Sequence, residues 1–180
     1  MKPVLSWDAE TNGLWGRAFA IGAVLIAPDT DMKIFRARIP LHNPMPWIRE
    51  NILPHIDNIR ITHEKYEDML ADFASFLNSS IDASIIVHMG YIVEAKILRD
   101  MYDLKLITEF GAPYPLLDVS GHLEMAGHDP TSVDRYLNSM NIHAPGNPHD
   151  PVFDSLQAAL AYIHLQHPDD FPEIKRRLCL

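Results

Sequence analysis

Between Phe19 and Ala27 the chain reads FAIGAVLIA, almost wholly apolar. A short apolar run bounded by turn residues reads as a strand in the middle of a sheet, covered on both faces. It has a strand-like neighbour on each side. Residues 3–8 alternate loosely and predict a first strand. Lys33 to Leu41 (KIFRARIPL) sets Ile34, Ala37 and Ile39 among basic residues and predicts a third. Pro28, Asp29 and Asp31 supply the turn between the second and third. Three consecutive short strands predict an antiparallel meander.

The rest of the chain alternates. A proline-rich connection, His42 to Trp47, leads into a helix-like stretch ending near Ile56. Thr62 is a candidate N-cap for a longer helix, whose apolar face is Tyr66, Met69, Leu70, Phe73, Phe76 and Leu77. Ser84 to His88 (SIIVH) predicts a short buried strand and Val93 to Tyr102 a helix. Pro115 to Val119 (PLLDV) predicts another short strand, and Val133 to Met140 another helix. The last helix begins near Pro151 and ends near Leu165, with Phe153, Leu156, Leu160 and Ile163 as its buried face. This order predicts an α/β fold with a mixed central sheet, the meander plus parallel strands, flanked by helices. With no repeat, low-complexity tract or linker, residues 1–180 are expected to form a single domain.

Composition narrows the function. The chain is 47% hydrophobic and 22% charged, an ordinary globular balance. Its one cysteine, Cys179, excludes an internal disulfide framework and a multi-cysteine zinc site and fits a reducing cytoplasm, the expected location. No stretch approaches the roughly 18 apolar residues of a membrane span. Asp8 interrupts the first apolar run too early for a signal peptide. A net charge of −9 argues against a long nucleic-acid footprint, though cations could let the chain grip a few nucleotides.

Two places carry candidate chemistry. In SWDAETNGL (Ser6 to Leu14), Asp8 and Glu10 are two residues apart, so they share a face if the strand extends that far. Such a pair is either an idle acidic loop or a site for a hard divalent cation that relieves its repulsion. In NPHDPVFDSLQAALAYIHL (Asn147 to Leu165), Asp150 and Pro151 read as N-cap and first helical residue. His149 then precedes the helix and Asp154 lies in its second turn. An acid near a helix N-terminus is favoured by the dipole alone, so a function there needs a partner elsewhere.

Together these stretches resemble the DEDDh 3′–5′ exonucleases, the DnaQ-like group that includes ribonuclease T, oligoribonuclease and proofreading domains. DAETNGL is similar to the first motif, D-x-E-T-x-G-L. AFAIGAVLI is similar to the family's second strand, and His149 with Asp154 matches the third motif, H-x4-D. The second motif departs. Where the family has His-Asn before an Asp that opens a helix, this chain has IVHMGYIVEAKIL: His88 is in place, Met89 replaces the Asn, and Glu94 is the acid at the right distance.

The resemblance implies a ribonuclease H-like fold and removal of nucleotides from a 3′ end with two Mg²⁺ or Mn²⁺ ions, about 3.5–4 Å apart. It implies that Asp8 bridges the ions, Glu10 and Asp154 hold the one that binds the attacking water, Glu94 helps hold the other, and His149 is the general base. Thr11, Asn12, Gly13 and Leu14 are expected to meet the terminal nucleotide, and His88 and Tyr91 to line the cleft. Trp15 and Phe19 either stack or pack. Arg17, Arg99 and the Lys175-Arg176-Arg177 tail are candidate phosphate contacts. The expected partner is a single-stranded 3′ end, RNA favoured over DNA, and homodimerisation is common among compact members. Two other readings compete: a degenerate, non-cleaving member that binds nucleic acid or protein, and a zinc hydrolase using His143 and His149, although no HExxH spacing appears.

Overall fold

The computed structural model describes residues 1–80 and 82–180. Five strands form one sheet: β1 (Val4–Thr11), β2 (Ala18–Ala27), β3 (Thr30–Arg38), β4 (Ser84–Val87) and β5 (Leu117–Asp118). Their order is β3-β2-β1-β4-β5. β1, β2 and β3 pair antiparallel, while β4 joins β1 and β5 joins β4 in parallel. Eight helices accompany the described strands: α1 (Pro46–Asn51), α2 (Leu53–Ile56), α3 (Tyr66–Asn78), α4 (Val93–Asp103), α5 (Val119–Met125), α6 (Val133–Ser139), α7 (Pro151–Gln166) and α8 (Phe171–Arg177). This is the mixed sheet and α/β architecture that the sequence predicts.

Period-two alternation divides the core. Val4, Val24 and Ile26 point to one face, where Leu156, Leu160 and Ile163 of α7 cover them. Leu5, Trp7 and Ile21 point to the other, against Met69, Leu70 and Phe73 of α3 and Ile97 of α4. Trp7 and Phe73 meet at 4.9 Å between ring centroids. Phe19 is buried with Ile48 of α1, Ile52 between the two helices and Ile56 of α2, so it packs rather than stacks.

One glycine sets the depth of α7. Gly22 lies directly opposite Asp8 in the β1–β2 register. A Cβ on it would fall 2.3 Å from the backbone of Pro151 and Val152. Without that atom, the first turn of α7 rests on the strand, and Ser155 Oγ donates to the Gly22 carbonyl at 3.0 Å. The glycine of the apolar run thus brings α7 up to Asp8.

Several boundaries differ from the sequence reading. β1 continues to Thr11, so Glu10 is a strand residue paired with Ala20. β3 starts at Thr30, leaving Pro28 and Asp29 as the turn and Asp31 in the strand. Thr62 caps no helix: its hydroxyl accepts from the Arg38 N–H at 3.0 Å, and α3 begins later, after Lys65. Only Leu117 and Asp118 of PLLDV are strand, because Asp118 turns round to cap α5 through the Ser120 N–H. α5 carries Gly121, whose low helix propensity hides it from sequence patterning. α7 is not the last helix, since α8 follows and buries Phe171 and Ile174.

Candidate active site

The site forms where the C-terminal ends of β1, β4 and β5 meet the N-termini of α4 and α7. Asp8 and Glu10 stand on the β1 face that α7 covers. Glu94, 3% exposed, opens α4. Asp154 lies in the first turn of α7. All of them, with His149, line one cavity of about 390 Å³.

Local geometry explains the spacing of the late motif. His149 has φ 66°, a left-handed conformation that turns its N–H back into the helix start. That N–H donates to Asp154 Oδ2 at 2.9 Å. Asp150 caps the helix through the Val152 N–H and pairs with Arg36 of β3 at 2.9 Å. The His149 ring swings towards β1, its Nδ1 3.4 Å from Glu10 Oε1, while remaining 40% exposed. Ligand atoms of Glu10, His149 and Asp154 all lie within 4.8 Å of one another.

The electrostatics follow from crowding acids in a partly closed space. Burial, with Glu94, Asp154 and Glu10 adding repulsion, raises the Asp8 carboxyl well above its ordinary range. Burial also pushes Glu94 up to about 8, against backbone N–H groups that favour its charge. Asp154 is pushed up to about 7 by burial and then by Glu10. His149 is raised by its hydrogen bond to Glu10, with burial opposing. These residues fit divalent cations: they are oxygen donors of the hard type, gathered against mutual repulsion that a positive ion would relieve.

The second-motif region is held by a residue that sequence reasoning missed. Asp118, at the end of β5, accepts from the N–H groups of Met89 at 3.1 Å and Gly90 at 3.0 Å. Both precede Glu94 in a loop where Met89 and Ile92 have positive φ. Burial disfavours the Asp118 charge, but these bonds and that from Ser120 outweigh it and hold its carboxyl below the usual range. Its only sequence signal is an Asp-x-Ser cap at the end of PLLDV.

The described residues resemble known folds. The nuclease domain of 3'hExo, a DEDDh family member, seen bound to rAMP, superposes with a TM-score of 0.65 at 11% identity, over 94% of this chain and 92% of that one. The two chains share the mixed five-stranded sheet flanked by helices. The zinc-bound form of the E. coli ExoI–ssDNA complex superposes with a TM-score of 0.62 at 13% identity, over 96% of this chain but 42% of that one. E. coli Exonuclease I in complex with a dA16 oligonucleotide gives 0.57 at 13% identity, over 96% and 43%. This chain therefore spans less than half the length of ExoI. No protein-family profile matches the sequence, and no curated protein sequence matches it.

The remaining sequence candidates are placed as follows. His88 lines the cavity, its Nε2 2.9 Å from the Pro130 carbonyl. Thr11 Oγ1 donates to the Gly13 carbonyl at 2.8 Å, shaping the turn after β1. Asn12 is spent on structure, accepting from the Met45 N–H and donating to the Asn43 carbonyl. Gly13 has φ 85° and sits against Met45. Leu14, 63% exposed, is at the tip of this turn, and Tyr91, 80% exposed, is in the second-motif loop; both lie outside the cavity lining. Arg17 pairs with Glu67 and Arg99 with Asp103. Arg177 is also structural, binding carbonyls of Ala27, Pro28 and Thr30 to fix α8 to the β2–β3 turn. His143 is exposed and stands apart from the metal-competent cluster of the described residues, which leaves the zinc reading without a site.

Proposed function

We propose that residues 1–180 form a single metal-dependent 3′–5′ exonuclease domain that hydrolyses the terminal phosphodiester of single-stranded nucleic acid, RNA favoured over DNA. The observation that carries this reading is the convergence of Asp8, Glu10, Glu94 and Asp154 with His149 on one cavity, from three separate elements. The fold likeness to exonuclease domains supports it. The leaning to RNA rests on the resemblance to compact members that trim RNA.

Asp8, Glu10, Glu94 and Asp154 would hold two divalent ions, Mg²⁺ or Mn²⁺, which when bound supply an activated water and stabilise the leaving 3′-oxygen. His149 then accepts the proton of the attacking water. Its ring faces the cavity without being sealed from solvent, and the hydrogen bond to Glu10 raises its affinity for a proton. Asp154 orients it by accepting the His149 backbone N–H. The charge on the four carboxylates ties activity to ionisation of groups that burial pushes towards neutral pH.

The test is a gel assay on 5′-labelled single-stranded RNA and DNA of one sequence, with Mn²⁺, Mg²⁺ or EDTA. A metal-dependent ladder shortening from the 3′ end, abolished by Asp8→Ala, is expected. His149→Asn should lower kcat by about 10²–10⁴ while keeping the metal-induced rise in melting temperature. A folded protein that cuts neither strand would shift the reading to a non-cleaving binder.

A further inference from the structure

The cavity has two flanks, with His149 on one and α6 on the other. His149 enters from the β2–β3 side. The next residue, Asp150, pairs with Arg36 of β3, Pro151 rests on Gly22 of β2, and His55 of α2 stands 5.6 Å from the His149 ring. α6 enters from the β4–β5 side, where His88, just after β4, has its Nε2 2.9 Å from the carbonyl of Pro130, close before the Ser132 cap of α6. β1, with Asp8 and Glu10, lies between the two sides. In an in-line displacement the leaving oxygen departs from the face of phosphorus opposite the attacking water. With the water at His149, the leaving 3′-oxygen and its sugar face the α6 flank.

That flank presents Thr131, Ser132, Val133 and Asp134 and, from α7, Gln157. Two of its polar side chains serve the fold. Thr131 Oγ1 donates to Asp129 Oδ1 at 2.7 Å, and Ser132 Oγ caps α6 by accepting the Arg135 N–H at 3.1 Å. Gln157 and Asp134 have capacity left over. Gln157, only 8% exposed, lies on α7 about one turn beyond Asp154. Its Nε2 donates to Asp134 Oδ1 at 3.2 Å, which leaves Oε1 as the free end of the amide. Gln157 Oε1 and Asp134 Oδ2 have no hydrogen-bond partner among the described residues. Both are acceptors, and they suit a hydroxyl that donates. On a nucleic acid, the donor that always stands beside the leaving 3′-oxygen is the 2′-hydroxyl of the same ribose. Base amino groups donate too, but they lie further from the reacting oxygen and vary with sequence.

We propose that Asp134 and Gln157 accept a hydrogen bond from the 2′-hydroxyl of the penultimate nucleotide, the one that carries the leaving 3′-oxygen, and so select RNA through a single sugar. This rests on the exonuclease reading and adds the residues and the nucleotide that tell RNA from DNA. A deoxyribose at that position leaves both acceptors unmatched, and a site built to bind a hydroxyl rejects the analogue that lacks it.

The experiment replaces one 2′-hydroxyl at a time in a 5′-labelled single-stranded RNA and measures kcat/KM for release of the terminal nucleotide with Mn²⁺. Deoxyribose at the penultimate position should lower it by about 10–100-fold, the range of a hydrogen bond to a charged group. Deoxyribose one position further from the end should cost little. A penultimate 2′-fluoro group keeps the electron withdrawal that helps the 3′-oxygen leave but cannot donate, so it should lose activity as deoxyribose does. Asp134→Ala and Gln157→Leu should each shrink the preference for ribose over 2′-fluororibose by about tenfold, and Asp134→Asn, which keeps an acceptor, should restore part of it. A thermal melt checks that the variants fold, and the substituted strands test the parent protein whether or not Gln157→Leu does. A 2′-fluoro strand cut as fast as RNA would overturn the proposal, because the hydroxyl would then act through its inductive pull alone. Variants with the parent's preference would overturn it, as would a penalty that is equal one position further on or that follows the penultimate base rather than its sugar. Cleavage of no strand, RNA or DNA, would instead sink the exonuclease reading beneath it.

Discussion

Glu94 concentrates the question of whether this site works as its neighbours' sites do. It is one methylene longer than the usual aspartate, and its backbone starts from a loop whose Ile92 has φ 82°. Glu94→Gln keeps the shape and removes the charge. We expect it to melt higher than the parent without metal above about pH 8, where the buried Glu94 carboxylate would otherwise carry its charge, and to lose about 10–100-fold in metal affinity and activity. Glu94→Asp should lose activity too, through lost reach, while retaining the carboxyl titration at this position that Gln removes. Calorimetric Mn²⁺ titration and kcat/KM measurements on both variants check this. A Glu94→Asp enzyme faster than the parent would show that the loop already sits at the usual distance.

At the scale of elements, the site depends on clasps. Gly22 lets α7 down onto β2, Arg36 ties the α7 cap to β3, and Asp118 holds the second-motif loop through two amides. Asp118→Ala would leave those amides unpartnered and remove the α5 cap, at a cost of about 1–3 kcal/mol. We expect its urea midpoint to fall and its metal affinity to fall with it. Asp118→Asn should restore part of both, since its amide oxygen still accepts. A variant with lower stability but unchanged metal affinity would confine Asp118 to a structural role. The sequence makes some of this legible and not the rest, for physical reasons. Asp8, Glu10, His149 and Asp154 stand in short local patterns, a strand alternation and a helix cap, that periodicity exposes. The apolar face of α3 is readable for the same reason. Asp118 is invisible because its partners lie 28 and 29 positions away and its strand is two residues long. α5 and α8 bury two residues each, too few to establish a period.

Across the whole molecule, the gathered acids set a pH dependence with a definite sign. Asp8, Glu94 and Asp154 have folded-state carboxyls above their ordinary values of 3.8, 4.5 and 3.8. The folded chain therefore binds more protons than the unfolded chain between about pH 4 and pH 8, and stability falls as pH rises through that window. His149, also raised, acts in the same direction; His164, lowered by burial, acts in the opposite one. We expect the metal-free protein to melt higher at pH 5.5 than at pH 8, and Mn²⁺ to close most of that gap by stabilising the alkaline form and releasing protons. Melting curves across pH with and without Mn²⁺ test it; a metal-free protein most stable at pH 8 would contradict the crowding of these carboxyls. The net charge of −9 adds to the cost at high pH without locating it.

The opposition of Asp8 to Gly22, with α7 resting on that glycine, also bears on the order of assembly. The β1–β2–β3 meander is local in the chain, whereas Asp154 reaches Asp8 only after the last third of the polypeptide has closed over the sheet. Contacts of such sequence separation are costly to form early. The meander can pair before the acids meet, and the repulsion between Asp8 and Asp154 arises only when α7 docks. Asp8 and Asp154 therefore meet only when α7 is docked on the sheet, and a chain that has paired the meander alone carries parts of the acidic cluster without the site.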